Sequence, residues 1–325
     1  MSPNQTPTQK NLTTGNFLQS QLWLDTYEKI GDRTIVRKYG EYSVYGIIKD
    51  AKRGRYLEIP GGPLIDWSDK NLVKQVFDDL KSLAKAEKCV FIRFRAQLLD
   101  TPENRQLVKQ FGARRAPMHL HAENTVILDL KKSEEELLAE MRRQTRYEIR
   151  RAEKLGVKVT IDNSDENWQA FAKLQSDTAA RQGFIPIGDK FLAAEKESFA
   201  DRMCLYNAKS AEDQLLAMAI IVHYGDEADY FEAASTPENR NIPGSYAIIW
   251  QAIKDAKGQG ISRFNLFGIA PEGATNHRFS GVTTFKTGFG GSIVNYLPAQ
   301  DIVIDQIKYL INLTVETSRK KMRKL

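Results

Sequence analysis

Apolar and polar positions alternate over residues 33–49, RTIVRKYGEYSVYGIIK, with a break at Tyr39-Gly40-Glu41, which predicts two strands joined by a turn. GRYLEI, residues 54–59, continues as a third strand and ends at the turn PGGP. From Asn71 to Lys88 the period changes: Leu72, Val73, Val76, Phe77, Leu80, Leu83 and Ala84 fall at helical spacing and feed the strand CVFIRF. The same order returns further on. MCLYNAK, QLLAMAIIVHY and ADYFEAAS read as strands, residues 245–257 as a helix and SRFNLFG as a strand.

A helix entered straight after a central strand, packed over an antiparallel-to-mixed sheet, describes an acyltransferase-like α/β (α+β) unit, here duplicated. Two unrelated α+β domains are the other arrangement the pattern allows. Between the halves, VILDL reads as a strand, and Ser133 with Glu136 forms a capping box for one long helix over 134–155, closed by Gly156. VKVTI then opens the second half. The expected organisation is a disordered tail over 1–13, a first domain over 14–133, a linking basic helix over 134–155, a second domain over 156–312 and a basic tail over 313–325.

On the linking helix Leu138, Met141, Thr145, Ile149 and Ala152 share a narrow face, and Arg142, Arg146, Arg150 and Lys154 recur every fourth residue beside it. Residues 141–154 carry net +4. Guanidinium groups at this density suit a phosphate backbone. A solvated face with internal pairs such as Glu148 with Arg151 is the plainer alternative. The ending RKKMRKL offers contact with tRNA or anionic lipid, or simply solubility.

Composition changes this picture little. The 325 residues are 42% hydrophobic and 27% charged, an ordinary globular balance, and the net charge of +6 points to anionic partners. The polar opening carries no secretory pattern, and the apolar run Leu215–Val222 is far too short to span a membrane. Cys89 and Cys204, both in strand-like contexts, are expected as buried free thiols of a reducing cytoplasm. His119 and His121 share one side of a strand, but no further ligands accompany them, and no metal is expected. His223 and His277 have no nucleophile beside them. Neither a phosphate-binding P-loop nor a dinucleotide fingerprint occurs.

Several segments resemble the Fem family of non-ribosomal peptidyltransferases in order and spacing. They are NFLQSQLW (16–23), GGPLID (61–66), FIRF (91–94), VILDL (126–130) with RRQTRYEIRRAEKLGVKV, AARQGF (179–184), YFEAAS (230–235), GISRFNLFGI (260–269) and TFKTGFGG (284–291). The resemblance covers roughly residues 14–310. It implies two tandem acetyltransferase-like (GNAT) subdomains and an activity that moves an amino acid from aminoacyl-tRNA to the stem peptide of a peptidoglycan precursor. It further implies contact with the inner face of the membrane and no dissociable cofactor. No sustained heptad run appears, so the coiled-coil arm of some relatives is not expected. NRNIPGSYAII does not match the coenzyme-A signature of ordinary acetyltransferases, although a coenzyme-A-dependent N-acyltransferase and a non-catalytic RNA- or membrane-binding module remain rival readings.

On the residues alone, Lys286 is either a solvated charge or a cation held against something negative. The resemblance implies that Phe285 positions the acceptor end and that Lys286 stabilises charge developing on the ester carbonyl or a nearby tRNA phosphate. Gly288, Gly290 and Gly291 read as a turn approaching a ligand or as a corner between strands. Asn265 and Gly268 end the strand expected to border the cleft, with Asn265 standing where relatives commonly carry Asp. Tyr230 and Glu232, two apart, are expected on one side of their strand, Glu232 as an acceptor-site or base candidate where an aromatic is usual. Arg93 and Arg95 are candidates for anion binding, because IPIG stands where relatives place an arginine for the precursor diphosphate.

Overall fold

A computed structural model describes residues 16–182, 185–238, 241–274 and 279–322. In chain order these form α1 (Gln21–Lys29), β1 (Arg33–Tyr39), β2 (Tyr42–Ala51), β3 (Gly54–Ile59), α2 (Lys70–Ala86), β4 (Phe91–Phe94), α3 (Pro102–Gln110), β5 (Ala113–Arg115) and β6 (Asn124–Asp129). There follow α4 (Glu134–Glu140), α5 (Arg143–Lys154), β7 (Lys158–Ile161), α6 (Asp165–Gln182), α7 (Asp189–Phe199), β8 (Met203–Lys209), β9 (Leu215–Tyr224) and β10 (Glu227–Ser235). Last come α8 (Gly244–Gly258), β11 (Arg263–Asn265), α9 (Ser280–Thr287), β12 (Ser292–Asn295), β13 (Gln300–Val303) and α10 (Gln306–Met322). The expected tail over 1–13, His277, Arg323 and Lys324 lie outside the described residues, as does part of AARQGF. The chain divides into two compact units, one within 1–124, 270–280 and 294–325, the other within 125–269 and 281–293.

The first unit holds a sheet in the order β1-β2-β3-β4-β13-β5, antiparallel except for β3 against β4. That parallel pair requires a crossover, and α2 supplies it, burying Val73, Val76, Phe77, Leu80 and Ala84 against the sheet. The second unit holds β12-β6-β11-β10-β9-β8-β7, in which β10 and β11 are parallel and α8 is the crossover. Ile248, Ile249, Ala252, Ile253 and Ala256 of α8 pack on Ala217, Ala219 and Ile221 of β9. Three strands, a helix and a parallel strand therefore occur twice, as the hydrophobic pattern predicts.

Three sequence expectations change, and one helix is new. The helix expected over 134–155 is two helices: Met141 and Arg142 are extended, with ψ of 148° and 144°. The Arg142 N–H is drawn out of the helical ladder to Gly288 O at 2.8 Å, and the Arg146 guanidinium caps α4 at the Leu138 (3.2 Å) and Met141 carbonyls. Strand β6, expected within 14–133, pairs with β11 in the second sheet, while β13, expected within 156–312, lies between β4 and β5 in the first. The basic tail expected over 313–325 is, as far as Met322, the continuation of α10, which starts at Gln306 and is tied to the rest of the first unit through Tyr309, Asn312 and Glu316. Residues 280–287, to which the hydrophobic pattern assigns no element, form α9, and the glycine turn follows it.

Candidate active site

Lys286 sits in the last turn of α9, 8% exposed. Its Nζ donates to Gly268 O at 3.0 Å and stands 5.6 Å from the ring centre of Tyr230. Among the described residues it makes no ion pair. Burial lowers its pKa from 10.5 to about 7. Lys286 is therefore no solvated charge: it is buried against a carbonyl and a ring, and burial makes it release its proton more readily than a surface lysine does.

What holds the acceptor carbonyl is a chain of hydrogen bonds behind it. β10 and β11 run together as far as Asp229 opposite Asn265 and pair no further. Asn265 Oδ1 accepts the Phe267 N–H at 2.9 Å and the Thr125 hydroxyl, and its Nδ2 donates to Glu227 Oε1 at 3.1 Å. Phe267 is left-handed, φ 59°, which the Asn265 bond helps to hold. Asn265 is thus fully occupied and positions the Gly268 carbonyl; it is no open ligand for substrate. Its amide has a physical reason here. Glu227 and Asp229 are both buried beside it and both pushed upward by burial, with Arg263 3.2 Å from Glu227 as the countercharge. A third carboxylate at 265 would offer Glu227 no donor.

Tyr230 and Glu232 do not share a face. Tyr230 pairs with Ile221 and Glu232 with Ile220, so Phe231 is an extra residue that reverses the alternation. Tyr230 joins the α8 side, with Ile221 and Lys286. Glu232 turns to the other side, accepting from the Gln175 amide of α6. Burial raises its pKa to about 7, and the neighbouring Glu195, fully buried on α7, is pushed well above the usual carboxylate range by burial first and by Glu232 second. Sequence reasoning missed Glu195, Glu227 and Asp229, because an acid inside an apolar stripe reads as an exposed position.

Phe285 lines a cavity of about 240 Å³ with Leu216, Thr236, Pro243, Gly244 and Tyr246. Its ring meets Tyr246 edge-on at 4.8 Å. The cavity lies at the start of α8, where Pro243 provides no side-chain cap; the Gly244 N–H goes to Ile242 O at 2.9 Å, and the Ser245 and Tyr246 N–H groups of the first turn have no side-chain cap among the described residues. Gly244 is there because a Cβ would come 2.7 Å from Leu216 Cβ. A larger hollow of about 630 Å³ between α6 and α7 holds none of the expected residues. The glycines after Lys286 approach protein, not ligand: a Cβ on Gly291, φ 80°, would stand 2.5 Å from Ile127 O.

The cationic stripe is partly structural. Arg142 donates to Thr284 O, fastening α5 to α9, and Arg146 is the cap of α4; among the described residues Arg150 and Lys154 are the two of the four that are exposed without such a bond. Arg93 is no anion site either. It is 6% exposed, bonded through two nitrogens to Asp301 (2.8 and 2.9 Å) and to Glu316 at 2.8 Å. Arg95, 3% exposed, lies over the Tyr296 ring at 5.1 Å; burial first and the Arg95 charge second lower the pKa of His121 to about 3. Cys89 and Cys204 are free thiols, Cys89 buried and raised to about 11, Cys204 half-buried. Among the described residues no group of three or more His, Cys, Asp or Glu is placed to hold a metal, and no helix is long and apolar enough to cross a membrane.

The model of the FemAB family matches residues 8–210 and 194–317. The chain belongs to the FemAB family. Among curated members, aminoacyltransferase FemB of Staphylococcus epidermidis is 23% identical over 81% of this chain and 82% of that protein. The crystal structure of FemX aligns with a TM-score of 0.79 at 18% identity, covering 94% of this FemAB-family chain and 98% of that one. A tandem GNAT protein from the clavulanic acid biosynthesis pathway aligns at 0.54 with 10% identity over 83% of each chain, the duplicated fold read from the hydrophobic pattern.

Proposed function

We propose that this FemAB-family protein is an aminoacyltransferase that carries an amino acid from aminoacyl-tRNA to an amine of a peptidoglycan stem peptide, building a cross-bridge. The observation that carries the reading is Lys286: a buried ammonium with a proton to exchange near pH 7, held at Gly268 O and Tyr230, next in sequence to a residue lining a cavity. The cavity offers Tyr246 and Phe285 as stacking faces for a terminal base and the start of α8 for a phosphate.

In the reaction the acceptor nitrogen attacks the ester carbonyl, forming C–N; the tetrahedral oxyanion then collapses and the bond to the ribose oxygen breaks. Lys286 gives its proton to that leaving oxygen, and the neutral amine takes one back from the attacking nitrogen, so the protein ends as it began. Before that transfer the ammonium stabilises the oxyanion. Partners are therefore aminoacyl-tRNA and a muropeptide precursor, lipid-linked or nucleotide-linked, with Arg150 and Lys154 as the two cations of the every-fourth-residue stripe left exposed for the tRNA backbone.

The test supplies charged tRNAs with muropeptide precursor, or acyl-coenzyme A with the same precursor, and follows labelled acyl transfer by mass spectrometry. Transfer from tRNA is expected, and Lys286→Ala lowers it by about 10²–10³ while tRNA binding stays near wild type. Transfer from coenzyme A alone overturns the reading.

A further inference from the structure

Helix α10 carries two unlike stripes. Tyr309, Asn312 and Glu316, spaced three and four apart, face the first unit. The Tyr309 hydroxyl donates to Asp301 Oδ2 at 2.9 Å, Asn312 Oδ1 accepts from Arg53 Nε at 2.8 Å, and Glu316 receives Arg93. The opposite stripe runs through Ile307, Leu310, Ile311, Thr314 and Ser318. Ile307 is 77% exposed and Leu310 and Ile311 are each 56% exposed. The helix already buries Tyr309 and packs Leu313 with Val90 and Phe91, so these outward aliphatic side chains are additional to the stripe by which a surface helix docks. Three large aliphatic side chains within five positions, all turned to solvent, form a patch that water alone does not favour.

The charge around that patch is equally one-sided. Lys308, Arg319 and Lys320 belong to the same helix, and its one acid, Glu316, is turned inward to Arg93. Lys308 pairs with Asp305, just before the helix, at 3.3 Å; Arg319 and Lys320 enter no ion pair among the described residues. An aliphatic centre with cations at its end is complementary to a surface that is apolar below and anionic above. RNA offers the anion without the apolar layer. A second copy of α10 offers the apolar layer, but brings further cations and no free acid.

We infer that α10 lies in the plane of an anionic bilayer, with Ile307, Leu310 and Ile311 entering the boundary between headgroups and acyl chains and Arg319 and Lys320 meeting lipid phosphate. The surface lies in the first unit and stands apart from the aminoacyl-transfer reading, so its experiment measures binding and not turnover.

The full-length protein is sedimented with vesicles of phosphatidylglycerol and phosphatidylcholine in equal parts, and with vesicles of phosphatidylcholine alone. Binding to the mixed vesicles is expected, falling as salt is raised and much weaker without the anionic lipid. The triple variant Ile307→Asp/Leu310→Asp/Ile311→Asp should bind about tenfold more weakly or not at all, with wild-type Tm because the side chains are exposed. Arg319→Ala/Lys320→Ala should reduce binding to the mixed vesicles and leave the weak phosphatidylcholine binding unchanged. The inference is overturned if the wild-type protein stays in the supernatant or the triple variant binds as well as wild type. It is also overturned if light scattering shows a dimer that the triple variant dissolves while vesicles capture nothing.

Discussion

Lys286 is both the chemistry and a liability. Its pKa in the folded protein is about 7 against 10.5 free, so below about pH 7 both folded and unfolded chains carry the proton and the buried charge destabilises the fold in full. Between about 7 and 10.5 the unfolded chain holds a proton that the folded one has released, so stability rises with pH across that window. Lys286→Met should therefore be more stable than wild type by roughly 2 kcal/mol or more at pH 6, the gap closing toward alkaline pH, as read by urea titration. If Lys286 is the proton donor, turnover falls as pH rises through about 7, and Lys286→Arg, which keeps its charge, loses that descending limb along with most activity. The lysine was visible in the sequence by its motif, but its shifted pKa was not, since the burial that causes it depends on Tyr230 and Gly268 from distant segments. Asn265 shows the same limit: its bond to the Phe267 N–H is local, but Thr125 and Glu227 come from two distant segments, and no local pattern joins them.

Elements with one wet face announced themselves. β1, β2 and β3, and β8, β9 and β10, were legible because their alternation or apolar run is bounded by turns; α2 and α8 were legible by period. What escaped depended on long-range bonds or on polar groups inside an apolar stripe. The break between α4 and α5 needs Gly288 O to take the Arg142 N–H, and the apolar period passes over it undisturbed. The bulge at Phe231 is one residue long, yet it moves Glu232 to the opposite face from Tyr230. Helices α6 and α7 put Gln175, Thr178 and Glu195 on their buried sides, which blurs the stripe. The two-helix reading of 134–154 also separates cations that the sequence treats alike. Arg146→Ala should lower stability by about 1–2 kcal/mol through loss of the α4 cap, with the salt dependence of RNA binding unchanged. Arg150→Ala and Lys154→Ala should leave stability alone and each reduce the slope of log affinity against log salt by about 0.7. Equal slopes for all three variants would return Arg146 to the phosphate-binding set.

Over the whole chain, the first unit is closed by its last residues. The polypeptide completes β5, builds nearly all of the second unit, and returns with β13 between β4 and β5, an interior position in the first sheet. The return is fixed by charge as well as by backbone pairing: Asp301, 0% exposed, opposes Arg93 in register and holds its guanidinium through two bonds. An ion pair so placed adds little net stability when complete but leaves a buried, unanswered charge when broken, a loss of about 3–5 kcal/mol. A chain ending at Pro298 lacks β13, Asp301, Tyr309 and Glu316 together, exposing the edges of β4 and β5 and stranding Arg93. The second unit loses no strand by that truncation, since β6 to β12 all precede it. Hydrogen exchange on the shortened protein should show the amides of β1–β4 unprotected while those of β8–β10 keep near wild-type protection. Uniform loss across both sheets would mean that the two units fold as one cooperative block; unchanged protection in β1–β4 would mean that β13 is dispensable and that the buried Arg93–Asp301 pair does not hold the first sheet together.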